Sequence, residues 1–144
     1  MKDLLKNQIN LLKSIIESFK LAERALIEKD VQNLTRHISK VEEYSFDFER
    51  LEEELNKEIN KMGYKSIKEY IEKTNDSEVA YLLATLVENL NELTIVMSNF
   101  KNLVDFENKY FEFIKSLFSN SSTTSTYTKK GYGVNQKSLI DKVY

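Results

Sequence analysis

Almost nothing in this chain can break a helix. Proline is absent and glycine occurs three times in 144 residues, as Gly63, Gly131 and Gly133. These are the two residue types that cost a helix interior most, roughly 3 and 1 kcal/mol relative to alanine. Glu, Lys, Leu and Asn dominate the rest, a balance that favours long helices over strands. An all-α fold with few corners is therefore expected, and the corners must be located from capping residues and apolar periodicity.

The first helix reads as residues 3–28. Leu5, Ile9, Leu12, Ile16, Phe19 and Leu26 recur at helical spacing, and Leu4, Leu11, Ile15 and Ala22 form a second stripe beside them. Two adjacent stripes make a face too broad for a two-stranded seam, so this helix is expected to pack against two others. Asp30 suits the N-cap of a second helix over 31–61, whose stripe is Leu34, Ile38, Val41, Phe48, Leu51, Leu55, Ile59 and Met62. No proline or glycine marks that first corner, so a turn and a bend in one helix both remain open. Gly63 fits the left-handed position after the second helix. Ser66-Ile-Lys-Glu69 reads as a capping box opening a short helix over 67–73. Thr74-Asn-Asp-Ser77 breaks it, and a third long helix follows over 77–118. The expected architecture is an antiparallel bundle of three long helices, with a short helix between the second and third and a flexible C-terminal arm. The domain reading is a helical bundle over 1–118 and a Ser/Thr linker with a partner-binding tail over 119–144.

The charge balance argues against several classes of partner. Net charge is −2, which gives no overall pull toward nucleic acid or a membrane surface. Four lysines against Asp141 give residues 119–144 a net +3, leaving −5 on residues 1–118. Cysteine is absent, which removes disulfide and thiol chemistry. No uninterrupted apolar run approaches the roughly 18 residues needed to span a bilayer. The opening Met1-Lys-Asp-Leu-Leu-Lys-Asn-Gln8 is too polar for a signal peptide. A cytoplasmic protein without membrane insertion is expected.

Catalysis lacks its parts. There is one histidine, His37, at the edge of an apolar stripe, and no Gly-rich phosphate loop or metal-ligand spacing. Glu52, Glu53 and Glu54 are consecutive, so their carboxylates splay around a helix instead of converging. A carboxylate metal site in a bundle needs Glu-x-x-His pairs on facing helices, which one histidine cannot supply. No enzyme activity, cofactor or metal is expected.

The last third carries the binding signal. Phe100, Phe106, Tyr110, Phe111, Phe113 and Phe118 crowd the end of the third long helix. They fall into two stripes: Leu103, Phe106, Tyr110, Phe113 and Leu117, and beside it Phe100, Val104, Phe111, Ile114 and Phe118. Such residues either wall the bundle core or form a groove for an amphipathic helix. Then Ser119-Asn-Ser-Ser-Thr-Thr-Ser-Thr126 opens onto Tyr127-Thr-Lys-Lys-Gly131 and an apolar ending with Leu139, Ile140 and Val143. Apolar anchors on a polar arm suit a segment that folds on binding. Self-association as a coiled-coil scaffold is the alternative.

The order of these features resembles the FlgN family of flagellar type III export chaperones. The family commonly carries an N-x-x-N pair late in a long helix, a Ser/Thr-rich linker and a Y-x-x-x-G element. Here these read Asn99-Phe-Lys-Asn102, residues 119–126 and Tyr127-Thr-Lys-Lys-Gly131. Glu23-Arg-Ala-Leu-Ile-Glu-Lys-Asp30 is similar to the family's first helical corner. Where the family usually has an Arg-rich stretch in its second helix, this chain has Arg50 among acidic residues. The resemblance implies a cytoplasmic chaperone that binds the C-terminal helices of hook–filament junction proteins. It would prevent their premature assembly and deliver them to the cytoplasmic domain of the export gate. Carried over, it makes Phe111, Ile114, Phe118, Leu139, Ile140 and Val143 client contacts, and Tyr127 and Gly131 gate-docking residues. It leaves Asn99 and Asn102 as family-pattern positions. A monomer or weak homodimer is expected.

Overall fold

Four helices follow one another in the computed structural model, which describes residues 1–117 apart from the side chains of Tyr110, Phe113, Ile114 and Leu117. They are α1 (Lys2–Ile27), α2 (Val31–Lys61), α3 (Ile67–Thr74) and α4 (Ser77–Leu117). The linker, the tail and the expected boundary at 118 lie outside the described residues. By compactness the chain divides into one unit, Met1–Val96, and a second beginning at Met97.

The first corner is a turn. Glu28 caps α1, the Asp30 amide donates to the Ala25 carbonyl at 2.8 Å and the Lys29 amide to that of Leu26 at 3.1 Å. That pair of bonds is a Schellman motif, which needs a left-handed residue. Lys29 supplies it at φ 57°. A non-glycine residue in this region costs energy, so only the surrounding bonds hold it there. The end of α2 uses the same motif with the better residue. Gly63 sits at φ 90°, and the amides of Gly63 and Tyr64 donate to the carbonyls of Asn60 and Ile59. Immediately after the first turn, Asp30 accepts from the Asn33 amide at 3.1 Å and from Asn33 Nδ2 at 2.6 Å. Asp30→Ala leaves those donors without the carboxylate, and is expected to lower stability by about 1 kcal/mol in urea denaturation.

The short connection is tied at both ends. Ser66 Oγ accepts from the Glu69 amide, and the Glu69 carboxylate reaches back to the Lys65 amide at 2.7 Å. Asn75 closes α3 in the left-handed region at φ 54°. Asp76 then starts α4, accepting from the Val79 amide at 3.2 Å and from the Tyr70 hydroxyl at 2.9 Å. The Val79 amide, then the Tyr70 hydroxyl, hold the Asp76 carboxyl below its ordinary 3.8. A depressed folded value means that this contribution is complete above about 3.8 and is lost as pH falls through the folded value. Acid titration below pH ~4 is therefore expected to raise amide exchange at residues 77–80 before the middle of α4 opens. Asp76→Asn should flatten that dependence.

Within the first unit, α1 supplies the most buried residues. Leu5, Ile9, Leu12, Ile15, Ile16, Phe19, Ala22 and Ala25 are all buried. They cover more than half of the helix circumference, so one neighbour cannot bury them all. α2 runs antiparallel to α1 from the corner, and returns to bring Glu58 within 2.8 Å of the Met1 amino nitrogen. α2 contributes Leu34, Val41, Leu55 and Ile59 to the core. α4 takes the other side: Lys2 pairs with Glu78 at 2.8 Å and Lys20 with Glu92 at 3.5 Å. Lys2 and Lys20 are five helical turns apart and so lie on one line of α1. Their partners follow in the same order, so α4 runs parallel to α1 and antiparallel to α2. The expected broad face of α1 and its antiparallel pairing with α2 are both present in this unit. The exposed ion pairs orient the helices and contribute little stability.

Gln8 breaks the apolar layer. It is 2% exposed, and its Oε1 has no hydrogen-bond partner. Leaving a buried acceptor unmade costs about 1–3 kcal/mol. Gln8→Leu removes that cost at similar volume. The urea midpoint is expected to rise by the equivalent of about 1–3 kcal/mol at an unchanged slope. A fall in midpoint would show that the carboxamide is satisfied in solution.

Candidate functional site

Helix α4 differs from α1 and α2 in being apolar nearly all round. Its segment Ser77–Lys109 contains an 18-residue window with a mean hydropathy of 1.3, only 33% of which is buried. By length and composition alone that segment could cross a membrane, although no uninterrupted apolar run does so. Glu88, Asn89, Asn91 and Glu92 fall in its middle, and Glu92 is ion-paired to α1. A helix that is apolar on every side is ordinarily buried on every side. Here one side is covered and the other is open.

Buried residues occur on α4 in each unit. Val79, Leu82, Leu86, Leu93 and Val96 are buried in the first unit. In the second unit Met97, Phe100 and Val104 are buried. The sequence left the aromatic run open between core and groove, and the structure divides it. Phe100 and Val104 are interior, whereas Phe106 is 63% and Phe111 46% exposed. Leu103 is half-buried. The family-pattern residues Asn99 and Asn102 are exposed, one helical turn apart, with Phe106 one further turn along.

Among the proposed client contacts, the described residues include the side chain of Phe111 alone. Ile114 lies in α4 with its side chain undescribed. Phe118, Leu139, Ile140 and Val143 lie outside the described residues, as do the proposed gate residues Tyr127 and Gly131.

The sequence reading missed the open face of α4 in the first unit. Tyr81 is 71% and Ile95 62% exposed, and Val87 and Leu90 are also open. A signal was available: between Val79 and Met97 the apolar residues exceed what one stripe can hold. The stripes read on this helix begin at Phe100 and do not reach that surplus.

Among the described residues, no group of three His, Cys, Asp or Glu side chains is placed to hold a metal ion. His37 is half-buried on α2, and Glu52, Glu53 and Glu54 are all exposed. A shallow recess of about 400 Å³ is lined by Met1, Lys2, Asp3, Lys6, Tyr70, Asp76 and Val79. Its polar groups are largely engaged: Lys2 with Glu78, and Tyr70 with Asp76. The surface thus offers exposed apolar side chains and carboxamides along one helix, groups suited to binding a partner.

Comparison with curated proteins and with solved structures gives no match in either case. Comparison with family models matches the FlgN protein family over residues 1–133, which includes all four helices, the Ser/Thr linker and the Tyr127–Gly131 element. The chain belongs to the FlgN family of flagellar export chaperones.

Proposed function

We propose that this protein is a cytoplasmic chaperone without catalytic activity that binds the C-terminal helical segments of hook–filament junction proteins. It prevents their premature assembly and delivers them to the cytoplasmic domain of the type III export gate. The observation that carries this reading is the family match across residues 1–133. The incompletely covered α4 supports it, because amphipathic helices dock through exposed apolar stripes. The client contacts are Phe111, Ile114, Phe118, Leu139, Ile140 and Val143, and Tyr127 with Gly131 meets the gate. Junction-protein ends form coiled coils, so masking their apolar stripe blocks polymerisation. Ordering a tail on binding costs about 2–5 kcal/mol, which keeps affinity moderate and permits release.

The test is capture by the full chain of purified C-terminal segments of candidate junction proteins, followed by fluorescence anisotropy. Saturable capture of at least one segment, with no capture of a filament-protein segment, is the expected result. Equal capture of both segments, or of neither, would overturn the reading.

The exposed aromatic residues Phe106 and Phe111 also favour a second reading, self-association as a scaffold. Sedimentation across a hundredfold concentration range separates the two, since a scaffold shows a concentration-dependent oligomer. The chaperone reading predicts a monomer or weak homodimer.

A further inference from the structure

The open face of α4 in the first unit is organised. Tyr81, Ala84, Glu88, Asn91 and Ile95 follow one another at spacings of three and four, and all five are exposed. Spacing of this kind makes a straight seam of the sort that packs against one other helix. Val87 widens the seam on one side at 46% exposure. At its midpoint stands Glu88, seven residues from each end. Glu78 and Glu92 are neutralised by Lys2 and Lys20. Glu88 has no ion-pair partner among the described residues.

That single charge decides what can cover the seam. A second copy packed antiparallel about the seam's midpoint, or parallel in register, sets Glu88 against Glu88. Shifting the register sets the charge against Ile95 or Tyr81 instead. Like charges, and a charge buried on an apolar side chain, both oppose association. A lipid surface is no better, because interfacial helices rely on Lys and Arg along their polar face. From Ser77 to Phe100 this helix has none. Among occupants from outside this chain, one meets every condition. It is a helix from another protein, with its own apolar stripe and a Lys or Arg opposite Glu88. Asn91, one turn on, then fixes the register by hydrogen bonding, as a polar residue within an apolar seam does.

We propose that the seam Tyr81–Ala84–Glu88–Asn91–Ile95 is a docking surface for an amphipathic client helix bearing a basic residue opposite Glu88. This rests on the chaperone reading for the source of that helix. It adds a client contact on the folded unit to those proposed further along the chain.

The experiment uses the full chain and a junction-protein segment that the wild type captures. Tyr81, Glu88 and Ile95 are exposed, so Glu88→Lys and the pair Tyr81→Ser with Ile95→Ser should keep wild-type helicity and urea midpoint. Each is expected to weaken binding by about tenfold or more. A segment whose stripe Lys or Arg residues are changed to Glu should bind Glu88→Lys better than it binds the wild type. Unchanged affinity in both variants overturns this surface while leaving the chaperone reading intact. Failure of the wild type to capture any junction segment overturns both. Self-association of the wild type that Glu88→Gln tightens would assign the seam to a second copy and overturn the proposal.

Discussion

Leu12→Ala lowers the stability of the first unit by about 3–5 kcal/mol, the upper part of the range for a buried leucine. Leu12 is 1% exposed in the middle of α1. Its helix has α2 on one side and α4 on the other, held by Met1–Glu58 at the beginning and by Lys2–Glu78 and Lys20–Glu92 along its length. A cavity there cannot close by moving one helix inward without opening a gap against the other, so little of the lost packing is recovered. The measurement is urea denaturation followed by far-ultraviolet circular dichroism. The midpoint should fall at constant slope. Val31→Ala is the control: Val31 is 69% exposed, and its substitution should change stability by less than about 0.5 kcal/mol. A cost below about 1 kcal/mol for Leu12→Ala would mean that α1 is not enclosed on both sides.

Deleting residues 119–144 is expected to leave helicity and melting of the remainder nearly unchanged while lowering client affinity at least a hundredfold. The two halves of this prediction have different origins. Every buried hydrophobic residue described lies between Leu5 and Val104. The deletion therefore removes none of that core. The deleted segment contains Tyr127, Tyr132, Val134, Leu139, Ile140, Val143 and Tyr144 on a largely polar stretch with a net +3. A hundredfold loss corresponds to about 2.7 kcal/mol, which two or three partly buried aliphatic or aromatic anchors supply. Circular dichroism and thermal melting check the first half, and anisotropy with a captured junction segment checks the second. Retained wild-type affinity would place client recognition wholly on the helices. A large drop in melting temperature would show that the tail belongs to the fold. Glu88→Lys in the truncated background then reports whether the α4 seam binds on its own.

The corners were readable because each is made by residues adjacent in sequence. Asp30, Gly63, Ser66 with Glu69, and Asp76 bond to backbone groups within a few residues of themselves. The helix limits therefore agree with the expected ones to within a residue wherever they are described. The one corner left open, at Glu28–Asp30, was ambiguous for a specific reason. Its left-handed position is held by a lysine, and nothing about a lysine announces a positive φ. The candidate site was far less legible. Phe100 and Phe106 read alike in sequence, yet one is buried and the other 63% exposed.

What the sequence determined by itself was the class of fold, the helix limits and the breadth of the α1 face. These follow from local backbone preference and from the period of apolar residues, which do not depend on what lies across the interface. The tertiary structure alone brings Glu78 and Glu92 of α4 to Lys2 and Lys20 of α1. It alone decided that Gln8 lies in the apolar layer with an unmade hydrogen bond. It alone decided which side of an evenly apolar helix is covered. Periodicity can identify a face only when one side is more polar than the other. α4 lacks that asymmetry, so its neighbours, and not its own residues, set which apolar side chains remain open to a partner.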